Sequence, residues 1–254
     1  MNSETKKGNI LENITITLFL TILPLQLLML LNKDNTKPYY QSIIYIIVIL
    51  LAILVIRIVG KPKDLTMRLK NMSMVFTKGW YILIASIIFA ILNFMSIDFS
   101  NTISTLQVIF FFINIMLGVI FEELVFRGII QNMIVQKYEV CKKSIWKGIV
   151  TSSLIFALMH LLNLIGQPYF ILGTVTQVIY TFCLGIMLGV VYYFSKNIWT
   201  VIFLHFIFNI FGSYSSLFNT DVSNSDIPLI GAIIQIVIML PCLYIAFVTY
   251  RKNK

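Results

Sequence analysis

Charge is scarce in this sequence. Charged residues make up 11% of its 254 positions and hydrophobic ones 59%. A soluble domain of this length cannot cover itself with so little polar surface, so soluble enzymes and soluble binding modules are excluded. Cysteine is scarce too. Cys141, Cys183 and Cys242 form no CxxC pair, which leaves no disulfide framework and no thiolate metal site. There is no low-complexity tract, and only the first dozen and the last four residues read as disordered. Histidine occurs twice, at His160 and His205. Of the ten acids, eight fall in tails or loops: Glu4, Glu12, Asp34, Asp64, Asp98, Glu139, Asp221 and Asp226.

What the chain does have is long apolar runs of spanning length. Eight are read, over 13–32, 40–59, 76–95, 103–125, 148–165, 170–194, 198–214 and 227–249. Pro24 and Pro241 lie inside runs, as membrane helices tolerate. The first run is not followed by a small-residue cleavage site and reads as a retained span. The fold expected is an all-α, polytopic membrane helix bundle of about eight transmembrane helices, forming a single integral membrane domain over 1–254.

The net charge of +9 suggests a nucleic-acid partner until the charges are placed. Seventeen of the 19 basic residues fall in the N-terminus, the C-terminus and alternate connections; the other side has only Lys33 and Lys37. By the positive-inside rule both termini are cytoplasmic. The basic pI is thus a topology signal, with lipid head groups as the partner of the 57–78 loop and no nucleic acid.

Only Glu122 and Glu123 interrupt a span, and both histidines lie within spans. Ionisable groups are costly in hydrocarbon and face a polar interior. Glu123 and Arg127 can bridge at i, i+4. Asn209 lies one turn after His205, on the same helix face. A carboxylate with an imidazole can deprotonate a water. An imidazole with an amide can hold an oxyanion. The same Glu and His side chains could instead ligate a divalent metal, zinc above all, although HExxH spacing is absent. At 1.5 Å per residue, His205 lies about 10 Å and His160 about 18 Å from the cytoplasmic ends of their runs, while Glu122 lies close to such an end. Either the fifth helix begins above the membrane or the site is a deep funnel.

These residues resemble a known family. EELVFR at 122–127 is similar to the EExxxR motif of the CAAX-protease and bacteriocin-processing (CPBP, or Abi) intramembrane proteases. FALMH at 156–160 is similar to its FxxxH motif, and HFIFN at 205–209 to its HxxxN motif. The resemblance covers about 103–214, which it marks as the catalytic core, with 1–102 as a three-helix N-terminal extension. It implies an intramembrane endopeptidase cutting near the cytoplasmic face. Glu122 would be the general base, and His160 would help hold the water. His205 and Asn209 would form the oxyanion hole. Glu123 and Arg127 would orient the site, with Glu123 as a second candidate participant. Phe156 would shape the pocket.

No cofactor is favoured. Were the enzyme metal-dependent, Glu122, His160 and His205 would be the ligands. The setting expected is a bacterial cell membrane and the partner a peptide or membrane-protein substrate, such as a pheromone or bacteriocin leader. The alternatives are a non-enzymatic scaffold or bacteriocin-immunity protein, and an ion-coupled transporter. Gly185 and Gly189 read as a close helix-packing pair. Gly128 reads as a bend where the fourth span leaves the membrane. Residues 129–147 read as an interfacial amphipathic helix that gates substrate access.

Overall fold

The computed structural model describes residues 10–31, 39–59, 70–137, 142–218 and 226–253. Among these every regular element is helical. The helices are α1 (Ile10–Leu31), α2 (Tyr39–Val59), α3 (Trp80–Phe94) and α4, which begins as Thr105–Glu123. They are followed by α5 (Lys142–Met159), α6 (Ile171–Ser195), α7 (Ile198–Ser213) and α8, whose halves Leu229–Met239 and Pro241–Lys252 meet at Pro241. Seven helices among the described residues are long and apolar enough to cross a membrane, and the chain is an integral multi-pass membrane protein. The run at 76–95 departs from the eight-span reading. Its helix, α3, has 15 residues, about 22 Å against a hydrocarbon core of about 30 Å. At Gly79, just before its start, the chain approaches α7 closely. A Cβ there would sit 2.4 Å from Leu204 and 2.8 Å from the Val75 carbonyl oxygen.

The fourth span also differs. It does not leave the membrane after 125. It widens into a π-helix, Leu124–Gln131, and resumes as Asn132–Lys137. All eight π-helical residues are buried, as are Asn132, Ile134 and Val135. The first half of the expected interfacial helix is therefore core. Residues 138–141 lie outside the described residues, and α5 is under way by Lys142. Gly128 is no exit bend; its carbonyl oxygen accepts from Asn132 Nδ2 inside the helix. Polar residues at 127, 131 and 132 mimic a membrane exit in sequence, but their partners lie on a neighbouring helix.

That neighbour is α6, the centre of the bundle. Cys183–Tyr192 is buried without interruption, the mark of a helix surrounded on every face. One apolar cluster packs α6 with α3, α5, α7 and α8; a second joins α1, α2, α4 and α5 through Ile22, Val48, Phe121, Phe126 and Phe156. Cys183 and Cys242 are buried free thiols, and Cys141 lies outside the described residues.

Gly185 and Gly189 allow α4 and α5 to reach the α6 backbone. Arg127 Nη2 donates to the Gly185 carbonyl at 3.4 Å, and Gln131 Nε2 to that of Gly189 at 2.9 Å. A Cβ at 189 would meet Ile149 at 2.8 Å and Gln131 Oε1 at 2.9 Å. The close-packing reading of this pair is thus the geometry observed, with a polar purpose added.

The N-terminus of α6 is tied by Asp226, whose carboxylate accepts from the N–H groups of Leu172, Gly173 and Ile227. Burial alone would raise its pKa. The three donors, aided by the helix dipole, outweigh that and hold it below the usual carboxylate range.

Two stability predictions follow from α6. Gly189→Leu overpacks the joint and should cost about 1–3 kcal/mol in thermal unfolding in detergent. Gly212→Ala on α7, where a Cβ meets no atom within 4 Å, should instead be neutral or stabilise by up to about 1 kcal/mol. Because Asp226 is depressed in the folded state, its contribution is present above the unfolded value near 3.8 and is lost as pH falls through the lower folded one. Asp226→Ala should therefore lower the melting temperature at pH 7, and the gap from wild type should close below about pH 4.

Candidate active site

Successive residues on an α-helix point about 100° apart. Adjacent glutamates therefore cannot share a direction, and here they part completely. Glu123 is fully buried. Its Oε1 lies 2.8 Å from His205 Nδ1 and 3.3 Å from Arg127 Nη1. Glu122 turns outward, with 29% of its side chain exposed, and its Oε2 lies 3.6 Å from His205 Nε2. The two carboxylates thus flank the two nitrogens of one imidazole.

Arg127 is as buried as Glu123. Its ion pair with Glu123 lacks hydrogen-bond geometry at Nη1, and Glu123 Oε2 has no hydrogen-bond partner among the described residues. Two further contacts compensate. The guanidinium donates to the Gly185 carbonyl and lies over the Phe156 ring, 4.5 Å from its centroid.

Phe156 joins the motifs. Its ring lies edge-on to His160 at 5.0 Å and to His205 at 6.0 Å. His160 Nδ1 lies 3.1 Å from the Phe156 carbonyl oxygen. A carbonyl only accepts, so the ring proton is on Nδ1 and the Nε2 lone pair is free when the ring is neutral. Asn209 is half-buried one turn beyond His205; its carbonyl accepts from Ser213, and it is not among the cavity-lining residues.

Glu122, His160, Phe121 and Phe156 face a cavity of about 630 Å³. The longer α4 resolves the depth mismatch. Glu122 lies about 22 Å before Lys137, and His160 about 27 Å after Lys142, at 1.5 Å per residue. The two are at similar height above one connection. The expected placement of Glu122 near a helix end is corrected accordingly.

Motifs could not point to the cavity's other wall. Tyr45 of α2 lines it beside Glu122, and Gln41 hydrogen-bonds to Tyr45. A Cβ at Gly118, one turn before Glu122, would lie 3.2 Å from the Tyr45 hydroxyl, so this glycine makes room for it. The sequence signals were a lone phenol in an apolar run and a glycine four residues before an acid; neither is specific.

Among the described residues no three His, Cys, Asp or Glu side chains come together in a way that could hold a metal ion. Of the three residues that a metal-dependent reading would use, Glu122 and His205 meet at 3.6 Å through Oε2 and Nε2, with His205 Nδ1 engaged by Glu123.

Residues 104–211 match the family model described as Rce1-like, type II CAAX prenyl endopeptidase Rce1-like. The matched stretch belongs to the CAAX protease family. The match supports a CAAX-type intramembrane endopeptidase in general terms. No curated protein matches the sequence. The CAAX-protease segment contains all three motifs, whereas α1 and α2, which supply much of the cavity wall, precede it.

The buried pair yields a stability prediction. Glu123→Ala strands the Arg127 charge and should cost about 3–5 kcal/mol, read by thermal unfolding. Glu123→Leu combined with Arg127→Met should recover most of that loss, while leaving His205 without its anchor.

Proposed function

We propose that the chain hydrolyses a peptide bond within the membrane, with Glu122 as the general base. The carrying observation is the division between the two glutamates: the cavity carboxylate has His205 Nε2 at 3.6 Å, and the buried one holds the far side of the same ring. Glu122 would take a proton from a water placed between it and the free Nε2 of His160. The resulting hydroxide adds to the substrate carbonyl carbon. His205 and Asn209 would then stabilise the oxyanion. With Nδ1 held by Glu123, Nε2 is the ring nitrogen of His205 left to face the oxyanion. The proton held by Glu122 passes to the leaving nitrogen as the C–N bond breaks. The products are a carboxylic acid and an amine.

Glu123 and Arg127 position His205 and do not touch substrate. Phe156 fixes both imidazoles and covers the guanidinium. The family description names prenyl endopeptidases. In the bacterial membrane we propose for this chain, unprenylated short apolar peptides such as pheromones, bacteriocin leaders and signal-peptide remnants fit the cavity better. The sequence reading put the cut near the cytoplasmic face, and the cavity's outer lining residues lie at the end away from the basic connections.

Purified wild type and Glu122→Gln, incubated in detergent with a membrane-peptide library, should differ completely. Wild type cuts and the variant loses at least about a hundredfold in rate. Cutting should survive a strong chelator. Loss with chelator and recovery with zinc would replace the general-base assignment with a metal-ligand one. Equal cutting by Glu122→Gln would remove Glu122 from the chemistry, and no cutting at all would favour the scaffold or immunity reading.

A further inference from the structure

The two ends of the bundle differ in charge. At one end Asn197 Nδ2 donates to the Lys70 carbonyl at 2.7 Å, Asn71 Nδ2 to the Ser195 carbonyl at 3.0 Å, and Lys78 Nζ to Asn253 Oδ1 at 2.7 Å. These contacts gather Lys70, Lys78, Lys196, Arg251 and Lys252 at one level. At the other end Asn101 Nδ2 reaches the Phe218 carbonyl and Asp226 caps α6. The described ionisable residues there are acids, Asp98 and Asp226, and Lys33 and Lys37 fall outside the described residues.

The cavity runs from Glu122 toward the acidic end. Leu30 at the close of α1, Gln41 at the opening of α2, Gly166 and Gln167 after α5, and Phe170 before α6 line its outer part. Toward the basic end it is closed by Phe121, Phe126 and Phe156, each almost fully buried. Along the open arm stand the carboxamides of Gln26, Gln41, Asn163, Gln167 and Gln177, with Asn163 donating to Gln177 at 3.0 Å. Among the described lining residues Glu122 is the only Asp, Glu, Lys or Arg.

We propose that substrate reaches Glu122 from the end opposite the basic connections, the non-cytoplasmic face in the orientation the charges set, as an extended uncharged peptide held by these carboxamides. The class follows from the lining. A hydrocarbon chain would take water from these amides without replacing the hydrogen bonds they do not make to one another. A charged side chain would lie in the arm without a counter-ion. A peptide backbone offers alternating donors and acceptors, which a carboxamide can satisfy in either sense. The α1–α2 hairpin, which precedes the family segment, is then a determinant of specificity. The proposal rests on the peptidase reading only in calling the occupant a substrate.

The test uses Gly166→Cys at the mouth, where an added side chain meets nothing within 4 Å, and Lys252→Cys at the far end, with the parent protein as background. Right-side-out vesicles are treated with a membrane-impermeant maleimide. Gly166→Cys should label, and Lys252→Cys should label only after permeabilisation. Gly166→Cys is then combined with Glu122→Gln, and labelling is timed with an uncharged Leu/Ser/Gly decapeptide present. The peptide should slow labelling about tenfold, and its alternately N-methylated form should protect far less, since each methyl removes one backbone donor.

Labelling of Gly166→Cys from the cytoplasmic side alone overturns the access route. Equal protection by both peptides, or none in a protein whose wild type cuts the decapeptide, overturns the binding mode and leaves the peptidase reading intact. Selective protection together with absent cleavage leaves this inference standing and removes the peptidase reading.

Discussion

The buried Glu123–Arg127 pair is the constraint on which the rest of the structure depends. Removing both charges from water costs several kcal/mol per ion, and their mutual attraction repays this only with good supporting contacts. The chain supplies those contacts from three elements. His205 of α7 approaches Glu123, the Gly185 carbonyl of α6 accepts from Arg127, and Phe156 of α5 covers the guanidinium face. One ion pair therefore sets the relative positions of four helices. The glycine at 185 suits this close approach, since a Cβ there would lie 3.1 Å from Ser153 and 3.4 Å from Arg127 Nη2. Ion pair, glycine and aromatic ring form one arrangement in which each explains the others.

The π-helix belongs to the same arrangement. It begins at Leu124, directly after the glutamates, and ends at Gln131. A π-helical turn takes more residues than an α-helical one, so side chains along it drift around the axis. Arg127 and Gln131 both donate to carbonyls on α6, and Asn132 donates to the Tyr192 hydroxyl at 2.8 Å. The widened segment directs a row of polar groups at one neighbour. Beyond it the helix resumes with buried Ile134 and Val135.

The three motifs were legible because an apolar chain makes each ionisable residue conspicuous. Glu122, Glu123, Arg127, His160 and His205 stood out against hydrocarbon, and the structure gathers them. The end of the fourth span was misread for the same reason. Polar residues at 127–132 look like an exit when their partners on α6 cannot be seen. The shortness of α3 was not legible because its run is apolar over a spanning length, and the close approach of Leu204 to Gly79 appears only in the fold. The cavity wall was illegible for a different reason. Gln26, Gln41 and Tyr45 are isolated polar residues without a motif or period, and their meeting depends on how α1 and α2 pack against α4.

The order of the two glutamates carries meaning of its own. The second of the pair is one turn from Arg127 and so is directed into the core by that contact. The first, rotated by about 100°, must then face away from it, toward the gap between α4 and α2. A glutamate that must meet water and one that must avoid it can thus be adjacent in sequence, because the helix separates them without any further device. The price of this economy is that neither can be moved alone. Shifting the ion pair by one residue would turn Glu122 out of the cavity, and filling Gly118 would press on Tyr45 and the wall opposite. The charged stretch in the middle of this helix is fixed by geometry on both sides, which is why so short a stretch of sequence says so much about the fold around it.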